Sequence, residues 1–393
     1  MAIFGSSETH FFPSALPLKT DGVDGSRSRH LSAKVWLSLC NHEQREPSAM
    51  KTSTVGLDLA KNVFQVHAID EAGEVLARRA LRRRHVVPFF SKLAPCLIGM
   101  EACSTSHHWA RELSNLGHEV KLMPPAYVKA YVKRSKTDAA DAEAICEAVT
   151  RPSMRYVAIK SPEQQSVLML HRTRDLLIRQ RTQLVNMIRA QLAEFGIVLA
   201  KGIQHALRLV AQLVDGEVPD IPPLALKVMM TLAAQVHDLQ ARIGALEKDI
   251  VAWFRSNAVA KRLETIPGIG VITASALAAT VTDPHRFTSG RQFAAWLGLT
   301  PRANSSGGKE RLGRISKMGD RYLRRLLING MTSQLRWARL NPEAHPWVAS
   351  LLQRKPAKLV AVAMANKVAR IAWAVMTRGE VYRAPQPSTE AVG

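Results

Sequence analysis

Two apolar runs in the first third of the chain each end in a carboxylate. Val55-Gly56-Leu57-Asp58 and Ile98-Gly99-Met100-Glu101 read as short strands, each delivering one acid where the apolar run stops. A third stretch, Lys136-Thr137-Asp138-Ala139-Ala140-Asp141, reads as a helix start. Thr137 is its N-cap, and Asp138 and Asp141 stand one turn apart on the same face. Four carboxylates carried to one place by two strands and a helix repel one another unless cations sit among them. Hard divalent cations such as Mg²⁺ take oxygen ligands, and a pair of them about 3.5–4 Å apart serves phosphodiester cleavage and joining.

The pattern around these acids is α/β from Thr52 to about Arg151. The spacing predicts strands over Thr54–Leu59, Asn62–Ile69 and Val75–Leu81, with Glu71-Ala72-Gly73-Glu74 turning the chain between the second and third. Arg82-Arg83-Arg84-His85 opens a helix whose body is Val86–Leu93. A strand over Cys96–Glu101, a helix over His107–Leu116 closed by Gly117, and a strand over Glu119–Met123 follow. Three strands in hairpin sequence, then alternation of strand and helix, with acids ending the first and fourth strands, is the ribonuclease H-like arrangement. A nucleotide-binding βαβ enzyme would carry a Gly-rich phosphate loop after its first strand, and Gly56-Leu57-Asp58-Leu59-Ala60-Lys61 is not one.

Composition names the partner. The 54 Lys and Arg against 32 Asp and Glu leave a net charge of +22 on 393 residues, which points to a polyanion, and nucleic acid is the usual one. A basic membrane-surface protein is the competing explanation. It is disfavoured because no run reaches the roughly 18 consecutive apolar residues of a membrane helix. Cys40, Cys96, Cys103 and Cys146 show no C-x-x-C spacing, so a zinc site is not expected and a reducing, cytoplasmic setting fits. His107-His108 is the only histidine doublet, and scattered histidines are ordinarily structural. Lys133, Arg134 and Lys136, just upstream of the acidic helix, are placed to hold a phosphate backbone. Glu143 and Glu147, further along that helix, read as solvated.

Residues 1–49 are rich in Ser, His, Pro and Gly without periodicity and carry no signal-peptide pattern. They are expected to be a disordered leader, with Met50 the natural start. The ribonuclease H-like domain is expected over 50–155 and a helical coiled-coil spacer over 156–257. In the spacer, Val236, Leu239, Ile243, Leu246, Ile250 and Trp253 alternate at spacings of three and four. Leu177, Leu184, Ile188, Leu192 and Phe195 make a looser stripe, with arginines on the other faces. An antiparallel helical hairpin follows, broken between Gly202 and Pro223. It serves either dimerisation, or nucleic-acid grip, or nothing beyond a solvated structural surface.

Residues 258–380 are expected to form a helical C-terminal domain, with 381–393 a flexible tail. Leu263-Glu264-Thr265-Ile266-Pro267-Gly268-Ile269-Gly270, followed by Thr273–Ala279, has the helix-hairpin-helix pattern. Its turn, Gly268 and Gly270, either contacts a DNA phosphate through backbone N–H groups or merely packs. The densest basic stretch comes next, with Arg302, Lys309, Arg311, Arg314 and Lys317 as candidate nucleic-acid contacts, and Arg321, Arg324 and Arg325 beyond them. A helix is expected over Ser316–Leu327, with Leu323, Leu326 and Leu327 inward and the arginines outward. Ala357–Met376, apolar on most faces, is the expected core helix. Ser305-Ser306-Gly307-Gly308 is a flexible turn on composition alone, though a serine among arginines and glycines could attack a phosphate.

These residues resemble a known family. Gly56-Leu57-Asp58-Leu59-Ala60-Lys61, Met100-Glu101-Ala102 and Lys136-Thr137-Asp138-Ala139-Ala140-Asp141-Ala142 resemble the DEDD motif of insertion-sequence transposases with a Holliday-junction-resolvase-like (RuvC-like) N-terminal domain. Ile266-Pro267-Gly268-Ile269-Gly270, Gly298-Leu299-Thr300-Pro301-Arg302, Ser306-Gly307 and Arg314-Ile315-Ser316-Lys317-Met318-Gly319 look like the C-terminal transposase domain of the same family. The likeness runs from about residue 52 to residue 380.

The resemblance implies a recombinase that moves an insertion sequence through a circular double-stranded intermediate, guided by a noncoding bridge RNA that pairs with donor and target DNA. It implies Mg²⁺, two ions in all, bound by Asp58, Glu101, Asp138 and Asp141, and a serine nucleophile at Ser306 that becomes covalently linked to DNA. It further implies a homodimer or homotetramer in which the metal site of one protomer faces the serine of another, working in the cytoplasm on the nucleoid. Two rivals share the residues. One is a metal-only junction endonuclease with Ser306 a loop residue, and the other is a non-enzymatic basic DNA- or RNA-binding protein.

Overall fold

The computed structural model describes residues 51–133, 137–215, 220–305, 307–309 and 311–384, and the expectations for the leader lie outside the described residues. The acidic strands belong to a five-stranded sheet of order β3-β2-β1-β4-β5. β1 (Thr54–Asp58), β2 (Val63–Ile69) and β3 (Val75–Arg82) run antiparallel in sequence. Asp70 makes the turn into β3 by accepting the N–H groups of Ala72 and Glu74, both at 2.9 Å. A short helix α1 (Val86–Phe90) then leads to β4 (Leu97–Glu101), which lies parallel to β1 with Gly56 opposite Gly99. α2 (Ser106–Asn115) returns the chain to β5 (Glu119–Met123), parallel to β4. Val55, Leu57, Ile98 and Met100 are wholly buried on one face of the sheet. α3 (Pro125–Val128) and α4 (Asp138–Val149) follow, and α4 covers the other face.

The middle of the chain holds the two expected long arms, α5 (Pro162–Ala193) and α7 (Pro223–Ser256). Arg174 meets Glu247 at 2.6 Å, and Arg181 bonds Gln240. Seven residues forward on one arm thus match seven back on the other, so the arms are antiparallel. The segment read as a bare break contains a helix, α6 (Ile203–Val214), which the sequence reading missed. Its Ala206, Val210 and Leu213 are buried with Ile188, Met229 and Val236, so the end of the hairpin is a small three-helix core. Phe195 leaves the expected stripe and is exposed.

The last third is a helical cluster of α8 (Ala258–Glu264), α9 (Val271–Thr280), α10 (Gly290–Trp296), α11 (Arg321–Leu340), α12 (Pro346–Arg354) and α13 (Ala357–Arg378). Between α10 and α11 lies a two-stranded ribbon, β6 (Pro301–Ala303) with β7 (Leu312–Ile315). That ribbon corrects the helix expected over Ser316–Leu327. Helix begins only at Arg321, because Asp320 caps it by accepting the N–H groups of Tyr322 (2.7 Å) and Leu323 (2.9 Å), while Lys317 and Gly319 hold positive φ. Leu323 and Leu327 are buried as expected. Arg324 is not outward: it is 8% exposed and donates to the carbonyls of Leu297 and Met318, both at 2.9 Å. α13 is long and apolar enough to cross a membrane by length and mean hydropathy, but half of that window is buried, with Val360, Ala365, Ala369 and Ala372 in the core of this cluster. The tail begins docked, with Tyr382 against that core and its N–H on Thr265 Oγ1 at 2.8 Å.

His171 on α5 ties the arm to the C-terminal helices. It is 1% exposed, with Nδ1 at 3.1 Å from the Tyr322 hydroxyl and Nε2 at 3.1 Å from Ser275 Oγ. Burial, helped by Arg174, pushes its pKa down from 6.5 to about 4. The unfolded chain therefore takes up a proton near pH 6.5 that the folded chain refuses until about pH 4. The stability this neutral ring contributes is complete above pH 6.5 and is lost as pH falls through that window. Thermal unfolding followed between pH 7.5 and 4, values set by that window, should show Tm falling below about 6.5, with a shallower fall in His171→Gln.

Candidate functional site

The sheet places Asp58 and Glu101 side by side, at the ends of adjacent parallel strands whose last paired residues are Leu57 and Met100. Both share the sheet face of Gly56 and Gly99, since side chains alternate along a strand. That is the face α4 covers. A Cβ on Gly56 would stand 2.1 Å from the Ala142 carbonyl oxygen and 2.5 Å from the Cys146 nitrogen; one on Gly99 would stand 2.7 Å from Val149 Cβ. Two glycines in register thus let α4 lie close on the sheet, its backbone against Gly56 and its Val149 side chain against Gly99. Thr137 caps the helix as expected, its hydroxyl accepting the Ala140 N–H at 3.2 Å.

The donors are all hard oxygens, as a divalent cation of the magnesium kind requires. Their convergence is incomplete: among the described residues no three His, Cys, Asp or Glu side chains stand close enough to hold one ion. The packing gives a reason. The helix is pinned to β4 at Val149, eight residues beyond Asp141, which is about 12 Å of helix axis. Asp58 and Glu101 each have further interactions, and neither is free.

The electrostatics around the acids are partly built from within. Lys133 is exposed and pairs with Glu143 at 2.5 Å, which holds the Glu143 carboxyl below its ordinary range. Glu143 is therefore a paired residue, where solvation alone was expected. His67, opposite Gly56 on β2, is 5% exposed and pushed down by burial and by Arg78. Cys146, whose backbone meets Gly56, is a buried thiol pushed up to about 11 by burial, so it is inert packing. Arg134 and Lys136 lie outside the described residues.

The basic candidates of the last third gather on the ribbon. Arg302, Lys309, Arg311, Arg314 and Lys317 are all exposed. Arg302 reaches across to the Ser316 carbonyl at 3.1 Å, and the Asn304 N–H donates to the Arg311 carbonyl at 2.8 Å. Ser305 Oγ accepts the Arg311 N–H at 3.3 Å, so that hydroxyl is stitched into the ribbon. Gly307 (φ 56°) and Gly308 (φ 74°) turn the chain in the left-handed region with open space about them. Ser306 lies outside the described residues. At the ribbon's base, Gly298 and Gly319 hold positive φ, and any Cβ there would strike the backbone of Met318 or Trp296 near 2 Å. Of the two turn glycines, Gly270 is exposed at the cap of α9. Gly268 (φ 85°) packs against Gly330 and Met331 of α11.

Two models of transposase sequence match this chain, in the order of its two candidate sites. The DEDD type of IS110 elements covers residues 55–197, and the IS116/IS110/IS902 transposase family covers residues 260–346. A Pseudomonas aeruginosa relative described as "Probable family 20 transposase" is 50% identical over 336 residues, 85% of this chain and 99% of its own. The chain belongs to the IS110/IS116/IS902 transposase family. The transposase of element IS1328 from Yersinia enterocolitica is 40% identical over 84% of this chain and 98% of its own, and that of IS1111A from Coxiella burnetii 38% over 87% and 94%.

Membership settles the coarse chemistry. The protein is a DNA transposase of an insertion sequence, it binds DNA, and its DEDD domain is of the ribonuclease H-like kind that works with divalent metal ions. The β3-β2-β1-β4-β5 sheet with α4 across it is that domain's frame. What sequence reasoning missed is the ribbon. β6 is only three residues and β7 four, with arginines and glycines that give no strand signal.

Proposed function

We propose that this transposase cleaves and rejoins DNA by serine transesterification, with Ser306 as nucleophile and Asp58, Glu101, Asp138 and Asp141 holding two Mg²⁺ ions. The observation that supports the reading is the register of Gly56 and Gly99, which lets α4, acidic in its first turn, pack on the two adjacent strands that end at Asp58 and Glu101. When bound, the ions supply positive charge at the scissile phosphate. The chain's own groups do the rest. Arg302, Lys309, Arg311, Arg314 and Lys317 on the ribbon hold the backbone beside the serine turn, with Lys133, Arg134, Lys136 and the Gly268/Gly270 turn as further contacts. The serine oxygen forms a P–O ester as the strand's own P–O bond breaks, so attack by a strand-end hydroxyl reseals it without hydrolysis. Segments 50–155, 156–257 and 258–380 act as catalytic, spacer and nucleophile-bearing domains. A bridge RNA supplies sequence choice, and a homotetramer brings the acids of one protomer to the serine of another.

A denaturing gel with junction DNA, Mg²⁺ and RNA from the element's flanks tests this. A protein–DNA adduct should form in wild type and Ser305→Ala and vanish in Ser306→Ala and Asp138→Asn. Cleavage persisting in both serine variants with no adduct would make the protein a metal-only nuclease.

A further inference from the structure

Away from the acids and the ribbon, one cluster of cations has no carboxylate of its own. Arg111 on α2 donates through Nη1 to the Lys160 carbonyl at 2.6 Å and to Gln165 Oε1 at 2.9 Å, so its guanidinium is fixed in place by neutral groups. One turn earlier, His107 accepts the Lys160 N–H at Nδ1 (3.3 Å). That contact leaves the neutral ring protonated at Nε2, which stands 3.5 Å from Lys160 Nζ. Two donors therefore face each other with no acceptor between them. Arg172, exposed on α5, acts on both Lys160 and His107 as a like charge. Among the described residues none of Lys160, Arg111 and Arg172 has an ion-pair partner. The acid that acts on Lys160 is Asp320, and its Oδ1 already takes the two capping N–H groups of α11.

Half-buried cations without a counter-ion are unfavourable, and their mutual push is visible. Burial and the neighbouring charges drive the Lys160 ammonium down and the His107 ring to about 4. An anion bridging Lys160 Nζ and His107 Nε2 from the side would remove the conflict and complete the donors. The place suits a strand of nucleic acid. The cluster joins α2 of the sheet domain to the start of α5 and to the cap of α11, and that cap follows directly from the basic ribbon.

We propose that Lys160, His107, Arg111 and Arg172 form a phosphate seat that holds a backbone phosphodiester of nucleic acid at the junction between the sheet domain and the C-terminal helices. The seat rests on the reading of this chain as a nucleic-acid enzyme, and goes beyond it in naming a contact 49 residues apart in sequence that no basic run contains. Because the donors address a phosphate and no base, the seat accepts DNA or RNA, and it is read as positioning rather than sequence choice.

The test uses the full chain, fluorescently labelled duplex DNA and, separately, labelled single-stranded RNA, with binding followed by anisotropy across a KCl series. For wild type against the double variant Lys160→Gln/Arg172→Gln, the expected result is binding several-fold weaker. The slope of log affinity against log salt should be shallower by about one to two. Lys160→Arg should restore most of the affinity. Without nucleic acid, the double variant should melt no lower than wild type, since the burial and repulsion it relieves outweigh the attraction of Asp320 that it loses; a structural role would lower its Tm. A slope change confined to one probe identifies which strand occupies the seat. Unchanged affinity and slope with both probes would overturn the seat alone. Failure of wild type to bind either probe would overturn the nucleic-acid reading along with it.

Discussion

Asp58→Asn is expected to abolish DNA cleavage while leaving DNA binding within about twofold of wild type. The substitution removes one negative charge and keeps the side-chain shape. Asp58 ends β1, whose position is already set by pairing with β2 on one side and β4 on the other, so the backbone has no reason to move. A carboxylate that helps neutralise charge at a transferring phosphate through a metal is worth several kcal/mol of transition-state stabilisation, and each 1.36 kcal/mol is tenfold in rate. A loss of about a thousandfold follows. Binding should survive because the exposed cations of the ribbon, Arg302, Lys309, Arg311, Arg314 and Lys317, are left untouched. Glu143→Gln is the matched control. Its partner is Lys133 in an exposed pair, worth at most about 1 kcal/mol, and its removal should leave the cleavage rate close to wild type. Strand cleavage measured under single-turnover conditions separates the two; an Asp58→Asn enzyme that still cuts at the wild-type rate would remove Asp58 from the chemistry.

The parts of this protein that were legible in its sequence are those where one local pattern decides the outcome. The apolar runs ending at Asp58 and Glu101, the Thr137 cap and the three-four spacing from Val236 to Ile250 each describe their own segment, and the structure keeps them. What was illegible depends on partners distant in the chain. Arg324 looks like a surface arginine until the Leu297 and Met318 carbonyls are brought to it by the ribbon. α6 hides in a stretch bounded by Gly202 and Pro223, and only its burial against both arms makes it a helix worth forming. The Lys160 cluster has no sequence signature at all, because its members come from α2, the linker and α5. The acidic set falls between: its order and its strand-end positions are read from the sequence, whereas the approach of α4 depends on two glycines that sequence reading treats as ordinary strand residues.

Those glycines give the second large effect. Gly56→Ala is expected to destabilise the protein by about 3 kcal/mol or more and to depress cleavage beyond what the lost stability explains. The new methyl would meet the Ala142 carbonyl oxygen at 2.1 Å, the Cys146 nitrogen at 2.5 Å and Cys146 Cβ at 2.7 Å. Two of these are helix backbone, and no rotamer change relieves them. α4 must therefore lift from the sheet by about the missing ångström, since carbon and oxygen need roughly 3 Å or more between them. The lift carries Asp138 and Asp141 away from Asp58 and Glu101, and a displacement of about 1 Å at a catalytic constellation costs about a hundredfold in rate. Gly244→Ala provides the contrast. That glycine lies within α7 with nothing within 4 Å of a new Cβ, and alanine there should raise stability by about 0.5–1 kcal/mol with no change in cleavage. Denaturant melts and single-turnover cleavage of the two variants, run at a temperature where both remain folded, distinguish a lifted helix from a merely weakened protein. If Gly56→Ala loses stability yet cleaves normally, the acids of α4 take no part in the reaction. A Gly56→Ala protein that is as stable as wild type would instead mean that α4 does not rest on β1 in solution.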